Sequence, residues 1–224
     1  MDYISATIEA CGGIIAAILG ALIAGGYISK IFKSDVLPQF HTYSNKSHNA
    51  HKIMRKAEEN IYFVISIGDR LLKKHEEQMR MYLKKGVKLN FLIHAEAQYY
   101  ELEKYINAPS KFDINFYQEI RKETLEKLWQ LEQGFPKLVE IREFHSFFSA
   151  SYIAIDIEED VATNRWPPHS IIQMMLYQYG VTAEGSPITY FSPKSNYPLF
   201  HSTAKCILDM WESAKRFPSI NHMD

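Results

Sequence analysis

The sequence predicts an α/β sandwich built around a mixed sheet and carried behind one transmembrane helix. Two patterns make that prediction. From residue 49 onward, short β-rich runs alternate with segments of helical period, the order that covers a sheet with helices. Ahead of them, Ala10 to Ile28 runs nineteen residues without a charge, and five of the ten glycines fall between Gly12 and Gly26. The expected organisation is a transmembrane helix over 4–28, a juxtamembrane linker over 29–48 and one cytosolic domain over 49–217.

At ~1.5 Å rise per residue, nineteen helical residues reach roughly 28 Å, enough for one crossing of a hydrocarbon core of ~30 Å. Asp2 and Glu9 precede the run where a cleaved leader would carry basic residues, while Lys30 and Lys33 follow it. The positive-inside rule then places the N-terminus outside and the large domain in the cytoplasm, with the lipid bilayer of the cytoplasmic membrane as a partner. Within the run, two small residues alternate with two large ones. Gly12, Ala16, Gly20 and Ala24 fall in one row of a helix, and Gly13, Ala17, Ala21 and Gly25 in the row beside it. Small rows let helix backbones approach closely in lipid, so this face is expected to drive self-association into a homo-oligomer.

Ser34 to His48 holds Pro38 and polar residues without a period, and reads as linker. Ala50 to Asn60 follows as a helix with Ile53, Met54 and Ala57 on one side. The uncharged run IYFVISI (Ile61 to Ile67) is a buried strand closed by Gly68-Asp69. Leu71 to Lys85 carries Leu72, His75, Met79, Tyr82 and Leu83 at helical spacing, and Gly86 ends it. Val87 to Ile93 is the second strand. Helices are expected over Tyr99 to Ile106 and Tyr117 to Gln133, and strands at Leu138 to Phe144, Tyr152 to Ile157, Ile171 to Tyr177 and Ile188 to Phe191. Leu199 to Phe217 is the last helix, with Phe200, Ala204, Ile207, Leu208 and Trp211 on one buried face and Pro218 beyond its end.

Composition narrows the function. The formal charge is −1, and the chain beyond the apolar run sits near +1, so no bulk basic field is present and duplex nucleic acid is not expected as a partner. Cys11 and Cys206 are the two cysteines, too few for a disulfide framework or a structural zinc site, and neither metal nor cofactor is expected. After Gly26 the glycines are isolated, so no Gly-rich phosphate loop is present.

The segment from Arg55 to Asn60 with the following IYFVISIGDR, a helix, and then Lys84-Lys85-Gly86-Val87-Lys88-Leu89 resembles the opening of phospholipase D-like domains. The stretch from Pro198-Leu199-Phe200 to Trp211-Glu212-Ser213-Ala214 is similar to the helix that closes uncharacterised regulatory domains of that family. The resemblance spans about Ser47 to Phe217. Active members carry H-x-K-x4-D, in which a histidine attacks phosphorus and a lysine holds the phosphate oxygens. None of the nine histidines here has a lysine two residues on. The matching strand reads S-x-S-x4-D, so Ser149 and Ser151 stand where nucleophile and phosphate holder belong, and Asp156 where the motif's aspartate belongs. The resemblance therefore implies the fold without the family's catalysis, and a pocket retained for a ligand.

In an open α/β sheet, ligands bind beyond the strand ends. Asp69 and Arg70 follow the first strand, His94 and Glu96 the second, and His145 the third; with Ser149, Ser151 and Asp156 these are the candidate ligand residues. The expected function is a single-pass membrane effector. Its catalytically degenerate domain senses a small phosphorylated or nucleotide ligand and thereby controls helix self-association or permeation. The layout is similar to small membrane effectors of bacterial antiphage signalling. A membrane-tethered phosphodiesterase with another nucleophile and a non-enzymatic scaffold are the alternatives.

Overall fold

The computed structural model describes residues 41–42, 50–107, 112–146, 148–158, 165–178 and 185–217. The expected transmembrane helix, with its small-residue rows from Gly12 to Gly25, lies outside the described residues, as does most of the linker. Among the described residues no helix is long and apolar enough to cross a membrane.

The described residues form a mixed α/β fold. Its elements are β1 (His41–Thr42), α1 (Ala50–Met54), β2 (Asn60–Ile65), α2 (Asp69–Lys84), β3 (Lys88–His94), α3 (Glu96–Asn107), α4 (Ile114–Gly134), β4 (Val139–Phe144), β5 (Ala150–Ile155), β6 (Ile171–Leu176), β7 (Pro187–Phe191), α5 (Tyr197–Ser213) and β8 (Lys215–Arg216). The eight strands lie in one sheet, in the order β1-β7-β6-β5-β2-β3-β4-β8. β2, β3 and β4 run parallel, joined by helical crossovers. β5 turns antiparallel against β2, and β6 and β7 continue antiparallel beyond it.

Two differences from the sequence reading concern the sheet edges. His41 and Thr42, inside the segment read as linker, pair with Ile188 and Pro187. Lys215 and Arg216, read as the end of the last helix, leave it at Ala214 and pair with Glu143 and Arg142. Ala214 is extended (φ −78°, ψ 147°), which breaks the helical hydrogen bonding three residues before Phe217. Phe217 then inserts beside Trp129, with ring centroids 5.6 Å apart.

Period-two alternation along the strands separates two cores. Ile61, Phe63 and Ile65 of β2 face one side with Leu89, Phe91 and Ile93 of β3, under Leu72, Met79 and Leu83 of α2 and Leu125, Leu128 and Leu131 of α4. Tyr62 and Val64 face the other side with Leu92, under Phe200, Ala204, Ile207 and Trp211 of α5. Each large α5 side chain buried this way contributes on the order of 1.5–3 kcal/mol. Helix ends follow local chemistry. The Asp113 carboxylate accepts the Asn115 and Phe116 N–H groups to start α4, and the Asn196 side chain accepts the Leu199 N–H to start α5. α2 begins differently: Gly68 takes φ +92° and no side chain caps the first turn.

Candidate functional site

A cleft of about 390 Å³ opens on the α2–α4 side of the sheet, at the C-terminal end of β2. Its floor is sheet: Ile65, Ser151, Ile153, Gln173 and Met175, with Tyr177 just past β6. One wall is the loop and first turn of α2, Ser66 to Lys73; the other is Tyr99, Glu103 and Ile106 of α3 with Phe116, Tyr117 and Ile120 of α4. The switch from parallel to antiparallel pairing between β2 and β5 opens this space, because among the described residues no crossover helix follows β5 to cover that face.

Of the candidate residues, Asp69, Arg70 and Ser151 come together here. The parity of the strands carries the others elsewhere. His94 shares the face of Leu92, two residues earlier, and therefore turns toward the α5 core, where its ring stacks on Phe148 at 3.5 Å between centroids. Its Nε2 accepts the Phe148 N–H at 3.3 Å, and burial, then the Arg121 charge, lowers its pKa to about 3, so the imidazole is neutral. Glu96 is exposed and accepts the Tyr100 hydroxyl. His145 is exposed with Nε2 3.6 Å from a Glu143 oxygen, and Ser149 is exposed outside the lining; neither enters the cleft.

Asp156 lies at the far end of β5. At 1% exposure, its carboxylate accepts the backbone N–H groups of Glu58, Glu59 and Asn60 at 2.8–2.9 Å and lies 2.9 Å from His169 Nε2. Five residue steps separate it from Ser151, roughly 17 Å at ~3.3 Å per residue. The S-x-S-x4-D spacing thus spans a strand with a cleft residue near one end and a structural clamp at the other.

The sequence reading missed Glu103, Gln173 and Tyr177. Glu103 sits among helical residues that read as ordinary surface, yet its carboxyl turns inward and accepts the Asn107 Nδ2 at 3.0 Å. Burial, reinforced by the Asp69 charge and opposed by Asn107 and Arg70, raises its pKa to about 7. The Tyr177 hydroxyl is tied to Ser151 and Ser66, and burial pushes its pKa well above the ordinary tyrosine value. Gln173 is 5% exposed, and its Oε1 has no hydrogen-bond partner among the described residues. A buried amide oxygen in that state costs about 1–3 kcal/mol. The one hint in sequence was a glutamine inside the otherwise apolar run Ile171 to Met175.

Behind the cleft, Arg121 fixes the α3–α4 wall. It is buried, donates to the His94 carbonyl at 3.1 Å and to Glu143 at 2.9 Å, and lies over the Tyr99 ring at 5.7 Å. Among the described residues, no histidine or cysteine lines the cleft, and no group of three or more His, Cys, Asp or Glu is placed to hold a metal ion.

No family model matches the chain, and no curated protein does. Among solved structures, the chain is similar to TrmBL2, an archaeal chromatin protein whose structure shows a novel mode of DNA binding. The identity is 10% and the TM-score 0.48, over 96% of this chain and 68% of that one. The expected exclusion of duplex nucleic acid is corrected: a DNA-binding protein is among the structural matches, and the exclusion rested on net charge alone. The physical reason is that a near-zero net charge averages over the whole surface and does not report on a local basic patch. The exclusion is withdrawn; a likeness at this level says nothing of what this chain itself binds.

Proposed function

We propose that the domain is a non-catalytic ligand sensor of phospholipase D-like ancestry, coupled to a self-associating N-terminal membrane helix. The observation that carries the reading is the cleft itself, where Asp69, Arg70 and Ser151 meet beside the end of β2. Support for a lost catalytic role comes from the absence of any H-x-K pair in the sequence and from His94, whose Nε2 accepts a backbone N–H on the other side of the sheet. A histidine so held cannot attack a substrate in the cleft. The small-residue rows supply the output: ligand binding in the domain changes helix association, and with it membrane integrity.

The test uses the full chain. Thermal unfolding in detergent is followed against separate additions of sugars, nucleosides, nucleotides, polyamines and inorganic phosphate, since a ligand of the native state raises the transition. Compounds that raise it are then added to dye-loaded liposomes carrying the protein. The expected result is dye release that Gly13→Leu or Gly20→Leu abolishes together with self-association. No stabilisation by any compound would remove the sensor, and leakage unchanged in both leucine variants would remove the coupling.

A further inference from the structure

The chemistry of the cleft wall and floor is uneven, and that unevenness selects a ligand. The inner end holds acceptors. Gln173 Oε1 is buried on β6 opposite Ile153 of β5, without a partner among the described residues. Two carboxyl groups, Asp69 and Glu103, face the same space from α2 and α3. Ser66, Ser151 and Tyr177 share hydrogen bonds with one another, so their capacity is already partly used. The cations Arg70 and Lys73 both stand on exposed positions of the α2 wall, with the Arg70 charge still felt at Glu103. Apolar surface from Tyr99, Tyr117 and Ile153 fills the space between.

An anionic phosphate at the inner end would meet two carboxyl groups and an amide oxygen that it cannot satisfy, because a phosphate dianion offers no donors. A group bearing O–H or N–H donors satisfies all three. We propose, resting on the reading of this cleft as a ligand site, that it takes a small molecule whose inner end is rich in hydrogen-bond donors and free of phosphate. Such an end is a set of sugar hydroxyls or an amine, seated on Gln173, Asp69 and Glu103. Any phosphate on the ligand is held outside, beside Arg70 and Lys73. The sequence reading expected a small phosphorylated or nucleotide ligand; here the phosphate is not what the inner end recognises.

Titration calorimetry on the full chain in detergent decides it, with ribose and adenosine as hydroxyl donors, spermidine as the amine donor, and inorganic phosphate and pyrophosphate as anions. At least one donor probe binds and neither anion displaces it; ribose or adenosine against spermidine separates the hydroxyl from the amine source. Gln173→Leu weakens that binding tenfold or more, whereas His145→Ala, at an exposed position outside the cleft, leaves it within twofold. Thermal unfolding of Gln173→Leu, expected within a few degrees of the parent, shows that the loss is not misfolding; Gln173→Glu, which keeps an acceptor, serves as the second variant if the leucine variant fails to fold and retains binding of the donor probe. Binding within twofold in Gln173→Leu, loss of binding in a folded Gln173→Glu, or displacement of the probe by phosphate overturns the inference while the cleft remains a ligand site. Anion binding with no donor binding does the same. If none of the probes binds, the reading of the cleft falls with it.

Discussion

The Asp156 carboxylate accepts the Asn60 N–H at 2.8 Å, joining the end of β5 to the start of β2 across 96 positions of sequence. The same carboxylate takes the N–H groups of Glu58 and Glu59 and contacts His169, while the Asp156 carbonyl accepts the Ser170 hydroxyl. Asp156 itself adopts φ +49°, a left-handed conformation that aspartate tolerates better than most residues. Asp156 therefore ties the end of β5 to the backbone of residues 58–60 through its side chain, and to His169 and Ser170 through its side chain and carbonyl, at the end of the sheet opposite the cleft.

Replacing it leaves three N–H groups without their acceptor, at about 1–3 kcal/mol for each that stays buried. Asp156→Ala is expected to lower stability by roughly 3–5 kcal/mol, and Asp156→Asn by less, since one acceptor oxygen remains. Urea unfolding measures both. Ligand affinity in any Asp156 variant that stays folded should match the parent; a selective loss of binding at unchanged stability would return Asp156 to the site.

The order of elements was legible because each buried run keeps one period: IYFVISI as a strand, Leu72 to Leu83 as a helix face, Phe200 to Trp211 as another. The site was legible only in part, for a reason of parity. Sequence places His94 and Ser151 alike at strand ends, but alternation puts Ser151 with Ile153 on the cleft face and His94 with Leu92 on the other. Which face holds the cleft depends on where β5 joins the sheet, a pairing between residues some ninety positions apart. Glu103 and Gln173 were hidden for the same reason, since the first turns inward only because α3 packs beside α4, and the second faces the cleft only because β6 follows β5. The two-residue edge strands β1 and β8 carry no period at all and are defined by their partners.

Gly68 sets the entry of α2 into the cleft. At φ +92° an L side chain is strained, and an added Cβ would lie 2.6 Å from Ile65 Cδ1. That methyl is the end of a flexible side chain and can move, so the conformational strain dominates. Gly68→Ala is expected to cost about 1–2 kcal/mol in thermal or urea unfolding. Because Ile65 lines the floor and Asp69 the wall, it should also weaken any cleft ligand more than an equally destabilising change in α5, such as Ile207→Val.

His75 is buried on the core face of α2, and neither ring nitrogen makes a hydrogen bond of ordinary geometry among the described residues. Burial holds its pKa below the ordinary histidine value. The folded state thus resists a proton that the unfolded chain accepts, and stability present above about pH 6.5 is lost as pH falls below it. His75→Leu removes the poorly satisfied buried ring nitrogens, which contact Gln78, and the proton linkage together. The variant should gain about 1 kcal/mol at pH 7 and more at pH 5, read from denaturation at both values; a gain that shrinks toward pH 5 would contradict this.

Glu103 gives the opposite slope. Its pKa is raised from 4.5 to about 7, first by burial and then by the Asp69 charge, against the hydrogen bond from Asn107 and the charge of Arg70. Between those two values the folded protein binds a proton that the unfolded chain has released, so stability falls as pH rises through the window and stays lower above it. Glu103→Gln, which keeps the shape and cannot ionise, should match the parent near pH 4 and exceed it above pH 7 by about 1–3 kcal/mol. Asp69→Asn removes the neighbouring charge and should move the midpoint of the fall toward lower pH without abolishing it. Thermal unfolding of the three proteins from pH 4 to 9 separates these outcomes. A parent curve that stays parallel to that of Glu103→Gln across the whole range would mean that the carboxyl ionises at its ordinary pH, placing two negative charges, Glu103 and Asp69, within the cleft at neutral pH.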